Sequence, residues 1–68
     1  MNEETFNLSI RKFLKVVGVS SQREIEQAVA KSIASGAIQG TETFEASMTL
    51  EIPALGLSVR LAGDIALE

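Results

Sequence analysis

The chain has 68 residues, a formal net charge of −3 and 46% hydrophobic residues, and it contains neither cysteine nor histidine. A chain this short forms a single domain with a thin core, and without cysteine no disulfide can support that core. The most common metal ligands and general bases are also missing, so we predict a protein that is not an enzyme, with no catalytic residue, cofactor or metal. The acidic balance makes nucleic-acid binding unlikely.

Two features of the sequence predict where in the cell the protein is located. No basic segment followed by an apolar stretch opens the sequence. No apolar run approaches the roughly 18 residues that a membrane-spanning helix needs. We therefore expect a soluble, cytoplasmic protein that does not enter a membrane.

The first predicted element is an amphipathic helix that begins after an N-cap at Asn2. Gly18 is placed to end it in a left-handed conformation. Apolar residues recur at the spacing of a single helix face: Phe6, Ile10, Phe13, Leu14 and Val17.

A second helix is predicted to follow almost at once. Ser21 and Glu24 have the spacing of a capping box, and Gly36 is a stop signal. The apolar face of this helix consists of Ile25, Ala28, Val29 and Ile33. With about three residues between the helices, the pattern predicts a helical hairpin.

The last part of the chain alternates apolar and polar residues at period two, which predicts a long β-hairpin around a turn at residues 53–56. A symmetric turn places Leu50 opposite Val59 and Met48 opposite Leu61, with both apolar rows on one face. Gly63 marks either a β-bulge or a place where another backbone approaches closely.

The opposite face of this hairpin is polar. Arg60 faces Thr49 with Glu51 diagonal to it, whereas Glu45 opposite Asp64 is an unfavourable like-charge pair. Small and uncharged positions leave a flat surface that another protein or another copy of the chain can cover. We predict a partner surface formed by Ser47, Thr49, Arg60, Ala62 and Leu55.

These elements predict an α+β fold of order ααββ over residues 1–68, with the helical hairpin packed on one face of the β-hairpin. Two helices side by side occupy roughly 20 Å, which is wider than a ribbon whose strands lie about 4.8 Å apart. Pairing of two ribbons into a four-stranded sheet would supply the missing width and remove an exposed edge. We therefore predict a homodimer that acts as an interaction or structural module, with an unidentified protein as a further possible partner.

An alternative function is DNA binding by a divergent helix-turn-helix or winged-helix protein. The segment from Val17 to Ile25 has the outline of two helices joined by a short turn, and the hairpin would be the wing. The residues facing DNA would be Gln22, Arg23, Gln27 and Lys31. The net negative charge and the neighbouring Glu24 and Glu26 count against this hypothesis.

Three segments together resemble a family of short bacterial proteins, about 70 residues long, of unknown function. They are the opening fifteen residues MNEETFNLSIRKFLK, the segment VGVSSQREIE at 17–26 and the segment MTLEIPALGL at 48–57. The resemblance extends over nearly the whole chain. It implies a bacterial origin, and it brings no activity, ligand or site residue with it.

Overall fold

The computed structural model describes all residues from 1 to 68 and shows an α+β chain. One helix, α1 (Glu3–Ala34), is followed by strand β1 (Thr43–Ile52), a single 3₁₀ turn (Pro53–Leu55) and strand β2 (Leu57–Ala66). The chain divides into two compact units, Met1–Ala37 and Ile38–Glu68. The first unit contains the helix and the second contains the hairpin.

The N-terminus of α1 is capped as predicted. The Asn2 side chain accepts a hydrogen bond of 3.0 Å from the backbone N–H of Thr5, and Asn2 itself has extended backbone angles. Glu3 and Glu4 occupy the first turn, where negative charge complements the positive end of the helix dipole.

The predicted helical hairpin is wrong, because α1 runs without interruption through Gly18 and Ser21. Gly18 does not adopt a positive φ, and Ser21 lies within the helix instead of capping a new one. A glycine inside a helix costs only about 1 kcal/mol relative to alanine, whereas breaking the helix would leave several backbone groups without partners. The local stop and start signals are too weak to divide this helix.

The two predicted apolar faces merge into one stripe along the fused helix. Phe6, Val17 and Ala28 are spaced eleven residues apart, as are Leu14 and Ile25. Eleven residues make close to three helical turns, so residues at this spacing lie on the same side of α1. The partly shielded residues Val17, Ser21, Val29 and Ser32 also follow this stripe.

Gly36 ends the helix as predicted, and it does so through a left-handed backbone with φ of 77°. The N–H of Ala37 donates to the carbonyl of Ser32, and the N–H of Gly36 donates to the carbonyl of Ile33. This pair of hydrogen bonds is the Schellman motif, which satisfies carbonyls that the last helical turn leaves free.

The β-hairpin has the predicted register. Leu50 pairs with Val59, Met48 with Leu61 and Phe44 with Ile65, in an unbroken antiparallel ladder. The turn closes through a hydrogen bond from the N–H of Gly56 to the carbonyl of Pro53, with Gly56 in a left-handed conformation at φ 64°. Proline at the start and glycine at the end of this turn therefore set the alignment of the two strands.

The β-bulge expected at Gly63 is absent, and a close approach by a partner's backbone stays a prediction. Gly63 pairs directly with Ala46 and the ladder continues on both sides, so there is no bulge. A Cβ atom at Gly63 would have no heavy atom within 4 Å, so no other backbone approaches it closely in this chain.

In neither unit is any residue buried. Large apolar side chains remain exposed on the helix, among them Phe13 at 52%, and on the hairpin, among them Leu61 at 56%. Because the chain is rich in apolar residues, this exposure is the feature of the fold that bears most directly on function. No helix in the chain combines the length and the apolar character that crossing a membrane requires.

Candidate interaction surface on the hairpin

The polar face of the hairpin brings together four of the five residues predicted as a partner surface. Ser47 lies opposite Ala62, and Thr49 lies opposite Arg60 in the neighbouring position of the same face. The fifth residue, Leu55, lies in the turn, where 74% of it is exposed. The surface is therefore a compact patch of four residues, with Leu55 separate at the tip.

Arg60 forms the one ion pair of the hairpin, and its partner is Glu45 instead of the expected Glu51. The Arg60 Nη2 to Glu45 Oε1 distance is 3.5 Å, and both side chains are more than half exposed. An exposed pair of this kind contributes little to stability. It does place a positive charge beside Glu45, which lies opposite Asp64.

Both edges of the two-stranded sheet carry backbone groups that the hairpin itself does not use. The N–H of Leu67 donates to the carbonyl of Glu42, a pair that extends the ladder by one position. In an antiparallel ladder, hydrogen-bonded pairs alternate with pairs whose N–H and C=O groups turn outward. The outward positions are therefore the odd-numbered residues of β1 and the even-numbered residues of β2.

The apolar face of the hairpin is the larger exposed feature. Its side chains alternate with the polar ones along both strands, as the register requires. The exposed large members of this face are Phe44, Met48, Ile52, Val59 and Leu61. A row of this kind on a two-stranded ribbon is not stable in water without a cover.

The loop before β1 holds the side-chain carboxylate of Glu42 through backbone hydrogen bonds, an arrangement that the sequence does not predict. The Glu42 carboxylate accepts hydrogen bonds from the backbone N–H groups of Gln39, Gly40 and Thr41, at 2.9, 2.8 and 3.0 Å. The bonds from Gln39 and Gly40 are the main reason that the pKa of Glu42 is lowered from its ordinary value of 4.5. Gly40, with φ of 103°, was the only local signal that the backbone turns here.

The residues of the DNA-binding hypothesis lie on one continuous helix. Gln22, Arg23 and Gln27 line a shallow, open depression on α1 together with Val19 and Glu26, and Lys31 lies in the last turn. The turn that would separate a recognition helix from a supporting helix is absent, so the helix-turn-helix outline is wrong.

The acidic side chains do not converge. No group of three or more acidic residues comes together in a way that could hold a metal ion. Glu45 and Asp64 face each other on the exposed side of the sheet, with Arg60 beside Glu45.

The sequence was compared with the models of known protein families. A family of unknown function, DUF6494, matches residues 1–68. The chain belongs to this family. DUF6494 membership confirms the resemblance drawn from the sequence and covers the whole chain, including the helix and the hairpin. Searches of curated proteins and of solved structures give no match.

Proposed function

We propose that this member of DUF6494 is a non-catalytic, homodimeric interaction module in which association of two copies leads to cover of the apolar surface that a single copy exposes. One observation carries the proposal. The chain is 46% hydrophobic, yet no residue in it is buried.

The hairpin supplies the first part of the support. Its apolar residues form one row on each strand, and both rows lie on the same face. Leaving Phe44, Met48 and Leu61 in water forgoes roughly 1.5–3 kcal/mol for each side chain that could be buried. Association that shields this face from water recovers that free energy.

The helix supplies the second part. Its stripe runs from Phe6 to Ile33 over a helix of 32 residues, about 48 Å long. An isolated helix is marginal in water, and most helical stability in proteins comes from packing of the apolar side. Val17, Ile25 and Val29 lie on this stripe and are not buried.

A second copy fits these needs better than other supports for a small chain. Disulfides are excluded by the lack of cysteine. A second copy offers the same apolar rows at the same spacing, and a twofold dimer brings like surfaces together in a closed assembly. The polar face of the hairpin, including Thr49, then stays available to a further protein partner.

The absence of a catalytic role is proposed on chemical grounds. The chain has no histidine or cysteine to act as base or nucleophile. The pKa of the Glu42 carboxylate is lowered by hydrogen bonds from backbone N–H groups of its own loop, which is a structural role for this side chain. The bacterial origin and the cytoplasmic location expected from the sequence stay predictions.

Thermal unfolding at several protein concentrations tests the homodimer. If folding and association are coupled, the midpoint temperature rises as total chain concentration is raised from about 1 to 100 μM, because mass action favours the dimer. Circular dichroism measures the helix of 32 residues directly during the same transition. A cooperative transition whose midpoint is the same at all concentrations contradicts the proposal.

A further inference from the structure

We propose that two copies join along their β2 edges, antiparallel about a twofold axis at Ala62, to form a four-stranded sheet of order β1-β2-β2-β1. The interface presupposes the homodimer proposed above and specifies which edge forms it and in which register. Its basis is the pattern of charge and backbone groups along β2.

The β2 edge has free backbone groups over its whole length. The outward N–H and C=O groups belong to the even-numbered residues, since Leu67 bonds inward to Glu42 and the ladder alternates from there. These residues also carry the polar-face side chains: Ser58, Arg60, Ala62, Asp64 and Ala66. An edge of this kind is a template for another strand.

Antiparallel pairing about Ala62 places opposite charges directly across the interface. Arg60 then lies opposite the partner's Asp64, and the twofold axis repeats the pair with the partner's Arg60 and Asp64. Ala62 meets its own copy at the axis, where two small side chains fit without repulsion. Each cross-strand pair of opposite charge favours this alignment.

The same alignment resolves the like-charge pair within each hairpin. Glu45 lies opposite Asp64 in the chain itself. In the four-stranded sheet, the partner's Arg60 comes next in that row, beside Asp64. Two carboxylates that face each other in a single chain thereby gain a guanidinium from the second copy.

Other registers of the β2 edge lose these pairs. A slide of two residues places Arg60 opposite Ala62 or Ala66 of the partner and makes no ion pair. A slide of four residues places Arg60 opposite the partner's Arg60, or Asp64 opposite the partner's Asp64. A slide of one residue turns the apolar row to the polar face. Because Leu67 extends the ladder by one position, the register about Ala62 also gives the longest overlap, from Leu57 to Leu67.

The apolar face is consistent with this register. Leu57 lies opposite the partner's Leu67, and Val59 lies opposite the partner's Ile65, so apolar residues meet across the interface. Leu61 lies opposite the partner's Gly63, where a Cβ would have no neighbour within 4 Å in the single chain. The glycine that forms no bulge thus gives Leu61 of the other copy open space.

The β1 edge cannot form equivalent ion pairs with a second copy of itself. Its outward residues are Thr43, Glu45, Ser47, Thr49 and Glu51. With two carboxylates and no cation, β1 pairing with its own copy makes no ion pair in any register, and one register places Glu45 opposite Glu51. Pairing β1 of one copy with β2 of the next leaves an open edge at each end and leads to a polymer instead of a dimer.

Charge reversal tests the register, with the dissociation constant measured by sedimentation. Arg60→Glu and Asp64→Arg each replace two attractive pairs by two repulsive ones, and we expect each to weaken the dimer about 10- to 30-fold. The double variant Arg60→Glu/Asp64→Arg restores the pairs and brings the dissociation constant back to within about threefold of the native value. Asp64→Arg also places opposite charges on the facing positions 45 and 64, so its weaker dimer is not a consequence of a weaker hairpin.

Matched controls separate position from net charge. Lys12→Glu changes the charge by the same amount as Arg60→Glu but lies on the helix, away from the apolar stripe. Glu51→Arg changes it by the same amount as Asp64→Arg but lies on the β1 edge. We expect both controls to dimerise like the native chain.

Cross-linking gives a second measurement that does not depend on the charge variants. Ala62→Cys places two thiols at the twofold axis with Cα atoms about 5.5 Å apart, within the range that a disulfide spans. Ser47→Cys lies directly opposite Ala62 in the hairpin and is the central position of the other edge. We expect mild oxidation to cross-link the first variant and not the second.

Each result decides between the two proposals. Two results would overturn the β2 interface and leave the homodimer intact. The first is cross-linking through position 47 instead of position 62. The second is a native chain that dimerises while both single charge variants and the double variant have the same dissociation constant. A native chain that sediments as a single copy removes both proposals.

Discussion

Gly18 and Gly36 are the same residue type at two points of one helical segment, and they adopt opposite conformations. Gly36 has φ of 77° and ends α1 through the Schellman hydrogen bonds of Gly36 and Ala37. Gly18 has no positive φ and lies in the middle of the helix. The difference decides whether the first half of the chain is one helix or two.

Gly18→Ala should therefore stabilise the protein. Alanine favours the helix by about 0.5–1 kcal/mol over glycine, and a Cβ at this position has no heavy atom within 4 Å. Urea unfolding followed by circular dichroism measures the change. Gly36→Ala is the matched control and should destabilise the protein, since a side chain is strained at its positive φ. A loss of stability in Gly18→Ala would contradict a continuous helix.

The Glu42 carboxylate makes folding stability depend on pH. Its pKa is lowered in the folded chain by the N–H groups of Gln39, Gly40 and Thr41. Its contribution is therefore complete above its ordinary pKa of 4.5 and is lost as pH falls through the lowered value. Glu42→Gln should be less stable than the native chain at pH 7, with the difference shrinking below about pH 4.5.

The control for this pH dependence is Glu51→Gln, which removes a carboxylate from the next strand while keeping the Glu42 hydrogen bonds. Urea midpoints measured from pH 3 to pH 7 for the three proteins give the comparison. A difference between the native chain and Glu42→Gln that stays constant across this range would show that Glu42 does not act through its charge.

Leu61 and Leu55 allow the same substitution on two different surfaces. Leu61 lies on the apolar face of the hairpin, whereas Leu55 lies in the turn and is 74% exposed. We expect Leu61→Ser to weaken dimerisation by about 1.5–3 kcal/mol per buried side chain and Leu55→Ser to leave it unchanged. Sedimentation of both variants at equal concentration provides the test. Equal behaviour of the two would exclude the apolar face from the interface.

The hairpin was predictable from the sequence because several independent signals agree. Alternation alone defines which side chains share a face, and Pro53 with Gly56 fixes the length of the turn. A slip of one residue would have turned Met48 and Leu61 to the polar face, so only one register satisfies both rows.

The continuous helix could not be predicted from the local signals around residues 18–24. Gly18 and the Ser21–Glu24 pair both resemble helix boundaries, but each is also compatible with the interior of a helix. The eleven-residue spacing of Phe6, Val17 and Ala28 was the signal that the two apolar faces form one stripe.

The Glu42 site was missed for a different reason. The hydrogen-bond donors to Glu42 are backbone N–H groups, which leave no residue-specific pattern in a sequence. The Arg60 partner was also misassigned, since Glu45 lies four residues along β1 from Thr49, beyond the diagonal neighbours, and the long arginine side chain reaches it along the polar face. Of the proposed surface, the pairing of Ser47 with Ala62 and of Thr49 with Arg60 was predictable, because it follows from the register.

Sedimentation equilibrium of the full chain tests the central claim most directly, that two copies are needed to cover the apolar surface. At tens of micromolar, we expect a mass about twice the 7.3 kDa of one chain, with dissociation on dilution accompanied by loss of helical circular dichroism. A mass of one chain, with the helix and a cooperative unfolding transition retained, would contradict the account.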